Sequence, residues 1–298
     1  MAHRGQPCRE MDCPAPRKGR NVPSMCGKGQ WQISGSAPEL YERELVPAMF
    51  APWAPLVVGL GHPRPGDRVL DLACGTGIVA RTAAECVGPG GSVVGVDLNP
   101  EMLKVARSLC PTGRHCGTPV EWHEASADKL PFPDGSFVVT YCQLGLQFFN
   151  ERAAALREIH RVLVAGGTLA AMVWCSLDQS PGFAVLAEML ERHVGRAAAA
   201  IMRSPFGLSS AHELADLVGD AGFRDIAVEK RTGTVRFPTV ERLVLGYSAA
   251  SPLAPLVSQA DSAHREALVG DVRRALGQYT SPDEVAFPIA AHLLSAKA

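Results

Sequence analysis

The sequence predicts an α/β protein in which helices alternate with the strands of one sheet. Three observations carry this. Residues 69–80 read VLDLACGTGIVA, a short apolar strand followed at once by a glycine turn and a helix. Further strand-like runs follow at 91–98, 120–125, 136–143 and 168–174, separated by segments of helical or turn character. Asp97 closes the second run about 20 residues beyond Gly77, where a carboxylate can accept both hydroxyls of a ribose.

Composition bounds the class. Of 298 residues, 47% are hydrophobic and 20% charged, enough for the core of one large α/β domain with insertions or a cap. A net charge of −1 lacks the basic footprint of a nucleic-acid binder. No apolar run approaches the roughly 20 residues of a membrane span. The nine cysteines are odd in number and scattered, and no secretory signal precedes them; reduced thiols in a cytoplasmic setting are expected. No C-x-x-C pair occurs, so no metal site is expected.

Residues 1–30 combine prolines, glycines and basic residues without apolar periodicity and read as a disordered tail. Residues 31–60 read as two helices. Ser36 with Glu39 forms a capping-box pattern, and Pro47 breaks or kinks the run. Tyr41, Leu45, Met49, Phe50 and Trp53 make an apolar stripe that reads as core; Tyr41 is also placed to close over a ligand at the strand ends. In the first strand–turn–helix unit, Asp71 ends the strand with a carboxylate suited to a ligand's cationic amine. Gly75 and Gly77 give the backbone access that a side chain would block. The spacing Gly75-x-Gly77-x-x-Ala80 also fits the dinucleotide fingerprint, so it leaves NAD(P) open.

After the second strand, Asn99-Pro100 turns the chain into a helix opened by Glu101, Met102 and Leu103. The third strand, 120–125, delivers Ser126, Ala127 and Asp128 to its carboxyl end, and the fourth, 136–143, delivers Tyr141, Cys142 and Gln143. Ligands bind at these ends in such sheets. Asn150 starts a helix running to Leu163, Gly166-Gly167 ends that region, and 168–174 is the fifth strand. Residues 226–237 and 285–296 read as the sixth and seventh strands. The helical stretches 176–209 and 239–279 fall outside the core alternation and read as insertions that wall a substrate pocket or form a dimer interface, so a homodimer is compatible with the sequence.

The motifs VLDLACGTG (69–77), GVDLNPEML (95–103), ASADKLPFPDGSF (125–137), CQLGLQFF (142–149) and ALREIHRVLVAGGTL (155–169) together resemble class I S-adenosylmethionine-dependent methyltransferases, in that family's order and spacing. The branch with ubiquinone and menaquinone C-methyltransferases is the most similar. The resemblance covers residues 36–175 well. It implies a Rossmann-like sheet of seven strands, six parallel and one antiparallel, with helices on both faces and helical cap insertions, formed by residues 31–298. It also favours S-adenosyl-L-methionine over NAD(P), because helices precede the first strand and the LPF and double-glycine segments belong to the methyltransferase pattern.

By resemblance, Asp71, Ala73, Gly75, Thr76 and Gly77 would hold the methionine portion. Asp97 would bind the ribose, Leu98 and Met102 the adenine, and Ser126 and Ala127 the adenine edge. Gln143 would stand near the methionine end. Three residues depart from the family pattern: Ser126 and Val138 replace aspartates, and Ala165 replaces a proline. Tyr141 and Gln147 are candidates for the substrate side. No catalytic base is assigned, since His123, His160 and His292 read as structural. The resulting expectation is methyl transfer to a carbon or oxygen of a small, fairly apolar acceptor. A non-catalytic binding module is the alternative. A protein or nucleic-acid methyltransferase is disfavoured, because Cys142-Gln143-Leu144-Gly145 stands where an Asn/Asp-Pro-Pro-Tyr-type motif is expected.

Overall fold

A computed structural model describes residues 32–298, so the tail expected over residues 1–30 lies outside the described residues. Eight strands form one sheet: β1 (Arg68–Leu72), β2 (Ser92–Asp97), β3 (Arg114–His115), β4 (Thr118–Glu124), β5 (Phe137–Gln143), β6 (Leu163–Trp174), β7 (Arg224–Phe237) and β8 (Val285–Lys297). Their order is β3-β4-β2-β1-β5-β6-β8-β7. β4, β2, β1, β5 and β6 run parallel, and β8 inserts antiparallel between β6 and β7. The sheet thus holds the expected six parallel strands and one antiparallel strand. The eighth, β3, is a two-residue edge strand paired antiparallel with β4, too short to leave a periodic signal.

Two helices precede the sheet, as expected: α1 (Ala37–Phe50) and α2 (Ala54–Gly61), bent by 69° from each other. Pro47 does not break α1. From Tyr41 onward the helix takes wider π-type turns, which accommodate the missing proline N–H. Ser36 does occupy the N-cap of α1, but its side chain makes no capping hydrogen bond. α3 (Ile78–Val87) follows β1, and α4 (Pro100–Leu109) follows β2 with Asn99 accepting from the Glu101 N–H. α5 (Arg152–Val162) starts one residue later than expected, with Glu151 instead of Asn150 at its N-cap. β6 begins directly after α5. Gly166 and Gly167 therefore lie inside the strand, in a bulge where its register on β5 jumps from Phe137↔Leu163 to Val139↔Thr168.

Alternate residues of the buried strands feed two cores. On one face Val69, Val93, Val139 and Met172 pack with Val57 and Val58 of α2 and with Ala83 and Val87 of α3. On the other, Leu70, Val94 and Val96 meet Leu156 and Ile159 of α5 and Leu214 and Val218 of α8 (Ala211–Asp220), itself preceded by α6 (Pro181–His193) and α7 (Arg196–Arg203). α6 packs against the later helix Ser262–Ala275, so the two expected insertions meet above the first face. Among the described residues, no single helix is long and apolar enough to cross a membrane.

Candidate functional site

A cavity opens at the carboxyl ends of β1, β2, β4 and β5. Parallel strands put their last residues on one edge, and β1 and β2 share register through Asp71↔Gly95. Asp71 and Asp97 are thereby brought to the same wall.

The glycine turn connects them. Gly75 (φ +55°) and Gly77 (φ +85°) adopt left-handed angles that glycine takes without a Cβ penalty. The Gly75 N–H donates to Asp97 Oδ2 at 2.8 Å, and the Asn99 N–H donates to Oδ1 at 2.8 Å. Asp97 therefore fixes both the turn after β1 and the turn after β2. Asp71 is buried, and its Oδ2 accepts from the Ala80 N–H at 2.8 Å, in the first turn of α3. Burial raises its carboxyl from 3.8 to about 8, against the lowering effect of that hydrogen bond. Asp97 is also raised, again by burial.

The structure separates the expected site residues. Tyr41, Asp71, Ala73, Gly75, Asp97, Leu98, Met102, Ser126, Ala127, Gln143 and Gln147 all line the cavity. Thr76, Gly77 and Tyr141 are not part of its wall. Gly77 faces Trp122, whose ring would lie 2.3 Å from an added Cβ, so packing and not ligand access demands the glycine there. Thr76 is buried, and its carbonyl accepts from Arg81. Tyr141 is corrected as a substrate-side candidate: its side chain is fully buried beneath α2, with its hydroxyl 3.5 Å from the Val58 carbonyl. Its register partner Asp71 and the next residue on its face, Gln143, do reach the wall, but the Tyr141 ring is packed into the core with α2 instead. The loop carrying Ser126 and Ala127 is braced from below. Arg161 donates to the Leu130 and Phe132 carbonyls and pairs with Glu158 and Asp134.

The opposite wall comes from parts that sequence reasoning treated as core or insertion. Leu45, Met49 and Phe50 of α1, Trp174 at the end of β6, Pro205 and Tyr247 all line the cavity. Tyr41 stacks on Phe50 with ring centroids 5.0 Å apart. Gln143 donates from Nε2 to the Phe50 carbonyl at 3.1 Å, leaving Oε1 buried without a partner among the described residues. Gln147 is 5% exposed, and neither atom of its amide has a partner among the described residues. Two non-glycine residues of the wall, Ala73 (φ +54°) and Leu144 (φ +60°), hold left-handed angles where the chain leaves β1 and β5. Such strain persists where surrounding structure fixes it, often at ligand sites.

The acidic and basic side chains of the wall are one-sided. Asp71, Asp97, Asp128 and Glu151 line it, and among the described residues no lysine, arginine or histidine does. A dinucleotide pyrophosphate would meet no side-chain cation there. A ligand bearing positive charge is the complementary one.

Comparison with known proteins agrees with this geometry. Residues 70–171 match a family model described as a methyltransferase domain. The chain is 39% identical over 141 residues to the ubiquinone/menaquinone biosynthesis C-methyltransferase UbiE of Ectopseudomonas mendocina, an alignment covering 47% of this chain and 53% of that one. For the Stenotrophomonas maltophilia protein of the same name the identity is 43% over 115 residues, covering 39% and 45%. The chain thus spans about half the length of these curated relatives. Among solved structures, it resembles the YcgJ protein of Bacillus subtilis (TM-score 0.54, 20% identity, 82% and 97% covered). It likewise resembles phosphoethanolamine N-methyltransferase 2 of Haemonchus contortus in complex with S-adenosyl-L-methionine (TM-score 0.54, 20% identity, 87% and 56% covered). At that identity these two likenesses concern the fold.

Proposed function

We propose, from the premise that residues 70–171 belong to the methyltransferase domain family, that this chain is a class I methyltransferase. It binds S-adenosyl-L-methionine and methylates a carbon or oxygen of a small, largely apolar acceptor. The observation that carries the cofactor reading is the acidic, cation-free wall around Gly75. The fit is also steric: a Cβ on Gly75 would point at Met102 Cε, 3.4 Å away, and at the Tyr41 hydroxyl, 3.9 Å away, across the space the cofactor needs.

When bound, the cofactor supplies a sulfonium methyl that needs no further activation. The chain's own work is to position, to shield and to exclude water. Asp97 holds the two turns and presents its carboxylate to ribose hydroxyls. Leu98 and Met102 flank the base, with Ser126 and Ala127 at its edge. Asp71, neutral at rest through burial, ionises when positive charge enters the cavity, since a cation nearby favours the carboxylate. Tyr41 and Phe50 form the stacked lid on the side of α1.

The acceptor end is apolar and aromatic through Leu45, Met49, Trp174 and Tyr247, with Gln143 and Gln147 as its neutral polar groups. Residues 176–209 and 239–279 act as its cap, contributing Pro205 and Tyr247. An acceptor with a ring or chain and one hydroxyl or carbonyl matches this lining, and the names of the curated relatives point to the same class. Among the described residues no histidine stands at the wall, so a proton lost by the acceptor leaves to water or to a wall carboxylate. The test is transfer of labelled methyl to a panel of phenols, quinols and small hydroxy acids. Transfer to an apolar phenol or quinol supports the reading. Cofactor binding without transfer to any member favours a binding module.

A further inference from the structure

We infer that Glu85, His115 and Cys116 form a binding site for one zinc-like divalent cation. The three residues come from two elements. Glu85 lies in the last turn of α3, and His115 ends β3. Cys116 and Gly117 form the two-residue tip of the β3–β4 hairpin, closed by the pair His115↔Thr118. One ligand atom from each of the three residues lies within 4.8 Å of the other two. His115 Nε2 stands 3.3 Å from Glu85 Oε1. That separation is the edge of a tetrahedron whose metal–nitrogen and metal–oxygen bonds are about 2.0–2.1 Å long.

Contacts outside the three ligands fix this arrangement. Thr118 is fully buried, and its hydroxyl donates to the Ala84 carbonyl at 2.7 Å, pinning the hairpin to the helix one residue from Glu85. Cys116 (φ +49°) and Gly117 (φ +82°) both take left-handed angles, the pattern of a type I′ turn. Asparagine, aspartate or glycine is the usual first residue of that turn. A cysteine there bears a steric penalty that those residues reduce, and its sulfur stands within reach of an imidazole and a carboxylate.

The donor set selects the ion. One sulfur, one nitrogen and one oxygen suit a borderline cation such as Zn²⁺, whereas Mg²⁺ and Ca²⁺ prefer oxygen alone. Glu85 and Cys116 are exposed and His115 is half-buried, so the ion can enter and water can complete a fourth position. On binding, the Cys116 thiol releases its proton to solvent and its sulfur donates an electron pair to the metal; nothing is oxidised or reduced. Arg114 adds a nearby positive charge that weakens the site, although its guanidinium is directed to the Gly117 carbonyl at 2.7 Å. The sequence hid the cluster because Glu85 and His115 are 30 residues apart and no C-x-x-C marks it. It lies at the amino ends of the parallel strands, opposite the cavity, so it stands independently of the proposed methyl transfer.

The test uses the full chain, reduced and stripped with a chelator, then titrated with Co²⁺ and challenged with Zn²⁺. One Co²⁺ per chain is expected, with a near-ultraviolet thiolate-to-cobalt absorption band that one equivalent of Zn²⁺ abolishes. Cys116→Ser should remove the band, and His115→Ala or Glu85→Gln should weaken binding at least tenfold. Cys86→Ser, at the neighbouring exposed thiol, should leave both unchanged. Zn²⁺ should also raise the melting midpoint of the unsubstituted chain and not that of Cys116→Ser. If His115→Ala does not fold, His115→Gln replaces it. No band, or a band that survives Cys116→Ser, overturns the site.

Discussion

The two walls of the cavity are built by different means. The cofactor wall comes from residues 71–75, 97–102 and 125–128, short segments that leave adjacent strands at one edge. Its key contacts are backbone N–H groups fixed by carboxylates, as where Gly75 and Asn99 both donate to Asp97. The acceptor wall gathers Leu45, Phe50, Trp174, Pro205 and Tyr247 from four distant parts of the chain. Its contacts are apolar surfaces plus two glutamines with unpaired amide atoms. A wall made of backbone geometry tolerates few residue types. A wall made of apolar surface tolerates many, and can change acceptor without changing fold.

Substitutions at the glycines divide the first wall into packing and binding. Gly77→Ala should be the most damaging for stability, because it strains a left-handed residue and drives a Cβ into Trp122. A loss of about 3 kcal/mol is expected in denaturant unfolding. Gly75→Ala has ordinary space beside Met102, so it should cost only about 1 kcal/mol of stability while weakening cofactor affinity more than Gly77→Ala does. Equal effects of the two substitutions on binding would break the division.

Asp97→Ala should weaken cofactor affinity by at least tenfold, about 1.4 kcal/mol, measured by calorimetry. It removes an acceptor that both turns share, so some loss of stability should accompany it.

Asp71 makes the first wall sensitive to pH. Its folded pKa, about 8, lies above the ordinary 3.8, so the folded chain binds more protons between those values. By linkage its contribution to stability is full below about pH 4 and declines as pH rises through about 8. Ligand affinity should run the other way, rising toward pH 8 by up to roughly tenfold per pH unit as the proton is more easily released. Asp71→Asn should flatten that dependence in titrations at several pH values.

On the second wall, Gln147→Leu should separate stability from acceptor binding. Replacing a buried amide whose atoms lack partners should stabilise the free protein by about 1 kcal/mol. Acceptor KM should rise severalfold while cofactor affinity stays unchanged. A fall in cofactor affinity would place Gln147 on the wrong wall.

The same contrast explains what the sequence disclosed. The strands and the cofactor wall were legible because they are local: VLDLACGTG and GVDL state a strand, a turn and an acid within a few residues. The expected sheet held, with only the two-residue β3 added. Gly77, in VLDLACGTG, and Tyr141, in the strand run 136–143, were legible as part of these elements, but their packing was not, because their neighbours, Trp122 and Val58, are far away in sequence. Trp174 and Tyr247 gave no separate signal. An apolar residue that lines a cavity has the same local pattern as one that fills a core. Gly166-Gly167 was read as a break between elements because a bulge inside a strand has the composition of a turn.

The central claim is that the acidic wall around Gly75 and Asp97 receives S-adenosyl-L-methionine. Calorimetric titration of the full chain and of Asp97→Ala with S-adenosyl-L-methionine, S-adenosylhomocysteine and NADPH tests it most directly. The account predicts micromolar binding of the first two to the unsubstituted chain, at least tenfold weaker binding to Asp97→Ala, and no binding of NADPH to either. Binding of NADPH alone, or affinity for S-adenosyl-L-methionine that Asp97→Ala leaves unchanged, would contradict it.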